Sequence, residues 1–191
     1  FDMATNLTIV KGKTFSRVIR WAAAPYLYKA ITAITQAAPV AITCIGHDIP
    51  DGWPVAPVSA KGMTQINVII PASVAEFTNV THKATATSAN IVTINDINSS
   101  GYSAYTSGGY LQLLSPVDMN GFTARMSIKD KVGGTELLRA DTSNGRIAID
   151  NTNKTITLTI ESAATAAITW TKGVYDFEML APAVAVTALV A

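Results

Sequence analysis

The chain is 191 residues long, 49% hydrophobic and 14% charged, and its 14 basic and 13 acidic residues leave a formal net charge of +1. That length suits one large domain or two small ones and is enough to bury a sizeable core. A charge balance so close to zero supplies no long-range field to hold nucleic acid or an anionic membrane, and so sparse a set of charges implies a surface partly covered by neighbours.

Cys44 is the single cysteine, which excludes an internal disulfide framework and a cysteine-based metal knuckle. It ends a strand-like run, 41–44, where a lone cysteine serves as a small core hydrophobe. Residues 1–15 lack the continuous apolar stretch of a secretory leader, and no run reaches the length of a membrane span. Phe1 and Asp2, ahead of Met3, carry no functional meaning. Asn-x-Ser/Thr triplets at Asn6, Asn79, Asn98 and Asn153 are expected by chance in a Thr-rich β protein.

Residues 7–10 predict a short strand, and Lys11-Gly12 turns the chain into a second over 14–21, where Phe15, Ile19 and Trp21 share a face interrupted by Arg17. Residues 22–25 break it. From Ala30 the texture changes to short β-branched runs, 30–35 and 40–44, followed by the turn-dense GHDIPDGWP with Gly46, Pro50, Asp51, Gly52 and Pro54. Strands over 55–59 and 64–70 flank a turn at 60–62. Residues 83–87 and 91–94 predict a hairpin across 88–90, with Asn90 suited to a left-handed turn position. A Gly/Ser-rich loop over 97–109 leads into the apolar strand 110–114. Many short strands at close spacing, without a helix-period stretch, predict a small barrel or sandwich.

Residues 116–118 close that module. The stretch 121–180 then reads as a β-meander with one helical break, and the rest of the chain is organised around it. Apolar residues alternate at Phe122, Ala124, Met126 and Ile128, at Ile147 and Ile149, and at Ile156, Leu158 and Ile160, which is the period of strands with one buried face. Gly133-Gly134, Asn144-Gly145 and residues 151–154 supply the reversals. Ser162 is placed to cap a brief helix to Ala167. Strands over 174–180 and 184–191 follow, and the last, VAVTALVA, is apolar on both faces and requires a cover.

No catalytic, cofactor-binding or metal constellation stands out. His47, Asp48 and Asp51 lie together, but two aspartates equally suit a Pro/Gly turn and the donor set is too small for a metal. His82 is remote from them, and no nucleophile elbow is present. Tyr102, Tyr105 and Tyr110, with Trp53 in the same module, suit a stacking platform for a host glycan, a protein interface or half-buried packing. Lys11, Lys13, Arg17 and Arg20, with Lys29 further on, form either a solvated face or a dock for an acidic neighbouring subunit. Trp21 and Trp170 are expected core anchors.

From Gly121 the runs GFTARMSIKDKVGGTELL, NGRIAIDNTNKTITLTIESAATAAITW and GVYDFEML resemble a recurrent domain of tailed-bacteriophage virion proteins, and KGKTFSRVIRW resembles its opening strand. The middle section, ITCIGHDIPDGWPVAPVSAKGMTQIN, HKATATSANIVTINDIN and GYSAYTSGGYL, is similar to the small β-barrel named for the first catalytic-cysteine half-domain of ubiquitin-activating enzymes. Gly46, Gly52, Gly62, Asn67 and Gly108-Gly109 carry that likeness, which implies no ubiquitin chemistry. The resemblance implies an all-β chain: an immunoglobulin-like β-sandwich (1–29 and 115–191) with an inserted small β-barrel (30–114).

The implied role is a non-enzymatic structural subunit of a phage virion, without cofactor, nucleic acid or membrane. It would dock on tail, baseplate or neck proteins and on its own copies through apolar strand edges. A capsid decoration protein and a carbohydrate-binding host-recognition module are the alternatives. In the phage domain a further strand pair follows the "Y-D-x-E" strand where this sequence reaches Ala191. The expectation is therefore an apolar edge, carried by Val184, Val186 and Leu189, that pairs with another subunit.

Overall fold

The structure, a computed structural model, describes residues 6–182, the side chains of 74 and 75 excepted. The described chain is all-β and divides into two compact units, residues 6–21 with 117–182, and residues 22–116. The first unit opens with β1 (Phe15–Ile19). The inserted unit holds β2 (Ala22–Ala30), β3 (Ala33–Ile34), β4 (Val40–Thr43), β5 (Pro54–Val58), a 3-10 turn (Thr64–Ile66), α1 (Val74–Val80), β6 (His82–Ser88), β7 (Ile91–Ile94) and β8 (Tyr110–Pro116). The first unit resumes with β9 (Thr123–Lys129), β10 (Glu136–Asp141), β11 (Ile147–Asp150), β12 (Thr155–Ile160), α2 (Ser162–Ala166) and β13 (Val174–Leu180).

The first unit is a sandwich of two three-stranded antiparallel sheets, β1-β12-β11 and β10-β9-β13. The alternating rows meet in its core: Ala124, Met126 and Ile128 from β9, Ile156, Leu158 and Ile160 from β12, and Ile147 from β11. Each of the Met, Ile and Leu side chains contributes ~1.5–3 kcal/mol by leaving water, and Ala124 less. Strand order departs from the expected meander, because β13 returns beside β9 and β1 pairs with β12, Phe15 opposite Ile160. Asn144-Gly145 accordingly makes no hairpin; it turns the chain from β10 in one sheet to β11 in the other. The corner is held by side chains: Asn144 N–H donates to Asp141 Oδ1 at 2.7 Å, and Asn144 Oδ1 accepts from Asp141 N–H at 3.0 Å and Arg146 N–H at 3.1 Å.

Residues 6–10 half-bury alternate side chains, Leu7 and Ile9, but make no ladder with any described segment and so form no strand. Ser162 does not cap α2. The N-cap is Glu161, and the tie is Thr165, fully buried, whose hydroxyl lies 2.8 Å from the Lys13 carbonyl and 3.0 Å from that of Ser162. The expected strand 184–191 lies outside the described residues.

In the inserted unit the strands follow the order β2-β8-β5-β6-β7-β4-β3, all antiparallel. The two ends of that order are consecutive parts of one segment. Ile31 N–H donates to the Gly109 carbonyl on the β8 side at 3.0 Å, and Thr32 N–H to Thr43 on the β4 side at 2.8 Å, so the ladder returns to the segment where it began. Inside this circuit Val40, Ile42, Trp53, Val55, Met63, Ala84, Ile94, Leu111 and Leu113 form the core. On the outer face Phe77 of α1 packs on Tyr26, Ala56 and Leu114.

The unit begins at Ala22 rather than at Ala30, because β2 runs through the expected break at 22–25 and pairs with β8 from Ala22 opposite Pro116. A bulge between Ala23 and Tyr26 accommodates Pro25, whose ring nitrogen cannot donate to a ladder. Residues 64–70 are not a strand: Asn67 clamps the turn instead, its side chain accepting from Ala60 N–H at 2.7 Å and donating to the Ala60 carbonyl at 3.0 Å. Asn90 is not left-handed. It sits in a two-residue turn with Ala89 and accepts the Gly46 N–H at 2.9 Å.

Candidate functional site

The four aromatic residues singled out in the sequence do not make one platform. Trp53 is 1% exposed, and its indole N–H donates to the Leu114 carbonyl at 3.0 Å, which makes it a core residue. Tyr102 and Tyr105 are half-buried against the same core. The Tyr105 hydroxyl lies 2.9 Å from both the Ile31 and the Gly108 carbonyls, so it ties the long loop to the start of the β8 pairing; burial, and then Cys44, push its pKa up. Tyr110 alone is open to solvent, 45% exposed. Its ring meets that of Tyr28, 55% exposed, edge to face at 6.0 Å between centroids and 84° between planes. Sequence reasoning missed Tyr28 because it placed no strand across 22–30, and only the β2–β8 pairing brings the two rings together.

His47 is enclosed, 3% exposed, and both ring nitrogens are used within the loop. Nδ1 accepts the Ile49 N–H at 2.9 Å, which leaves Nε2 to donate to the Ser88 carbonyl at 2.8 Å. Asp51 Oδ1 accepts the Ala86 N–H at 3.1 Å, and Asp48 adopts a left-handed turn conformation. These three residues build the turn, and no group of three metal-ligating side chains gathers among the described residues. Lys11, Lys13 and Arg17 are exposed in the sandwich unit, whereas Arg20 donates to the Asn153 carbonyl at 3.1 Å and Lys29 belongs to the inserted unit. Trp21 and Trp170 pack against the sandwich core, Trp21 edge to face on Phe122 at 5.6 Å.

Two surface features of the sandwich unit remain. The outward face of β10-β9-β13 is a ladder of matched charges: Arg125 with Glu178 at 2.5 Å, Arg139 with Asp141 at 2.7 Å, Lys129 with Asp176 at 4.0 Å, and the Ser127 hydroxyl donating to Glu136 at 2.5 Å. Such pairs offset one another's charge across the face. The Asp141 carboxyl in particular is held at about 2 by hydrogen bonds from Ser143, Arg139 and the Asn144 N–H. An open groove of about 650 Å³ is lined by the apolar Leu7, Ile9, Ile128, Ile168 and Trp170 together with Tyr175 and the polar Asn6, Thr8, Lys11, Thr171 and Lys172. No helix among the described residues is long and apolar enough to cross a membrane. No protein-family model matches the chain, and no curated protein matches it.

Proposed function

We propose that the chain is a non-enzymatic structural subunit of a tailed-phage virion, docking through apolar margins on tail, baseplate or neck proteins and on its own copies. The motif order over 121–180 supports this reading, and the groove of the sandwich unit carries it. The groove of about 650 Å³ sets the apolar side chains of Leu7, Ile9, Ile128, Ile168 and Trp170 among polar ones. The run beside it, residues 6–9, half-buries alternate side chains yet makes no backbone ladder among the described residues. A margin of that kind accepts a strand from a neighbour, main-chain bonds giving affinity and side-chain pockets giving register. On the same reading the strand circuit of the inserted unit is a small β-barrel. Cys44 in it is 1% exposed, and burial pushes its thiol up to about 12, so it is not poised as a nucleophile in the manner of a ubiquitin-activating enzyme.

The test is quantitative mass spectrometry of purified particles together with sedimentation of the isolated protein. The expected result is a low copy number per particle, with self-association lost in Ile9→Asp. A high copy number on the shell would move the assignment to capsid decoration. Absence from particles, with a monomer unaffected by Ile9→Asp, refutes the structural role.

A further inference from the structure

We infer that the outward face of β2 and β8 binds a neutral pyranose sugar through Tyr28, Tyr110 and Gln112. Residues along β8 alternate, with Leu111 and Leu113 entering the interior core while Tyr110, Gln112 and Leu114 face outward. In register, Gln112 stands between Tyr28 on β2 and Ala56 on β5, and Tyr110 between Ala30 and Val58. Helix α1 covers one end of this face through Phe77, and the other end, with the two tyrosines, is open.

Gln112 is the unusual member. It is 5% exposed, yet its amide makes no hydrogen bond within the protein, although no fully enclosed side-chain nitrogen or oxygen among the described residues lacks a partner. The amide is therefore largely desolvated without being fully enclosed, and in register it stands opposite Tyr28 and two residues along from Tyr110. A desolvated amide without partners is costly, and it carries two donors and two acceptor lone pairs in one plane. Adjacent equatorial hydroxyls of a sugar offer a matching donor and acceptor. The C–H face of the same ring lies against tyrosine, which presents an apolar body and a polar tip. The groups sit on neighbouring strands about 5 Å apart, the span of one sugar ring. The residues of β2, β5 and β8 that share this face carry no charge, which selects a neutral ligand over an acidic sugar or a phosphate. This site is independent of the docking role and sits in a different unit from the groove.

The experiment is an NMR titration of the ¹⁵N-labelled full chain with the methyl glycosides of glucose, galactose, mannose and N-acetylglucosamine, and with N-acetylneuraminic acid as an anionic control. Saturable shifts confined to residues 26–30 and 110–114 are expected with at least one neutral sugar, at a dissociation constant on the order of 1 mM. Tyr28→Ala should weaken that binding about tenfold, and Gln112→Leu should abolish it, with spectral dispersion reporting that each variant stays folded. The inference is overturned if none of the neutral sugars gives saturable shifts. It is equally overturned if the shifts survive both substitutions, or if Tyr28→Ala changes only self-association, which would make this face a contact between copies.

Discussion

Alanine at Gly62, compared with alanine at Gly46, measures how tightly the long loop 97–109 is held to the inserted unit. Both glycines have positive φ, +80° and +57°. Both variants therefore carry a left-handed penalty of ~1–2 kcal/mol, offset alike by the ~0.4–1 kcal/mol gained when alanine restricts the unfolded chain. They differ in what a new Cβ meets. At Gly46 nothing lies within 4 Å, whereas at Gly62 the Ala104 carbonyl oxygen is far inside contact distance and Thr106 N and Cγ2 are at 2.8 Å. Those atoms cannot simply rotate away, because Thr106 N–H donates to the Lys61 carbonyl and Lys61 N–H to Ser107, each at 2.9 Å. Relieving the clash means overpacking strain or loss of that bridge, ~1–3 kcal/mol beyond the backbone term. Gly62→Ala should thus fall about 2 kcal/mol below Gly46→Ala, a factor of roughly 30 in the opening equilibrium. Hydrogen-exchange mass spectrometry under increasing urea reads this on peptides of β5 and β8. Equal protection in the two variants would refute the close approach of the loop to Gly62.

Acid should destabilise the sandwich unit in a defined window. The Asp141 carboxyl titrates at about 2 in the folded chain, below its ordinary value of 3.8. The stabilisation it provides is complete above pH 4 and is lost as pH falls toward 2, and the lowered Asp118 and Asp150 act in the same direction. Asp141→Asn should flatten the acid limb of a pH-dependent unfolding curve, and an unchanged limb would refute the assignment. Cys44 should resist a thiol reagent at pH 8 in the native protein and react at the ordinary rate in urea, because its folded thiol is pushed up to about 12. Rapid native labelling would refute its enclosure.

What the sequence made legible was whatever depends on local alternation. The rows in β9 and β12 follow from period two alone, and they are the two inner faces of the sandwich. Pairing between distant segments was not legible, which is why 7–10 reads as a strand yet makes no ladder with a described segment, and why β11 and β13 read as parts of one meander. Pro25 masked β2, since a proline signals a break unless a bulge is known to absorb it. Trp53 reads as a surface ring amid GHDIPDGWP, but the turn residues around it fold over a side chain that points inward. Helix α1 did leave a signal that went unused: Ser73 and Glu76 stand three apart at its start, the spacing of a capping box. Gln112 was hidden in an apolar strand, and its lack of a partner is visible only with β2 and β5 in place.

The two ends of the inserted unit explain how a sandwich can hold so large an excursion. β2 and β8 begin and end side by side, Ala22 opposite Pro116, and just outside them Val117 N–H donates to the Trp21 carbonyl at 3.1 Å within the host unit. To the sandwich, the excursion therefore behaves as a closed loop whose ends are already joined. Loop entropy grows only by ~0.6 kcal/mol for each doubling of length, so β1 can still find β12 from far away in sequence. Each unit also has its own core, with Trp53 and Leu113 in one and Met126 and Leu158 in the other. Substitutions without shared partners add independently. The cost of Gly62→Ala should therefore appear in inserted-unit peptides and that of Asp141→Asn in sandwich peptides, and their double variant should show the sum. A chain built this way can keep a structural body unchanged while the face bearing Tyr28, Gln112 and Tyr110 varies.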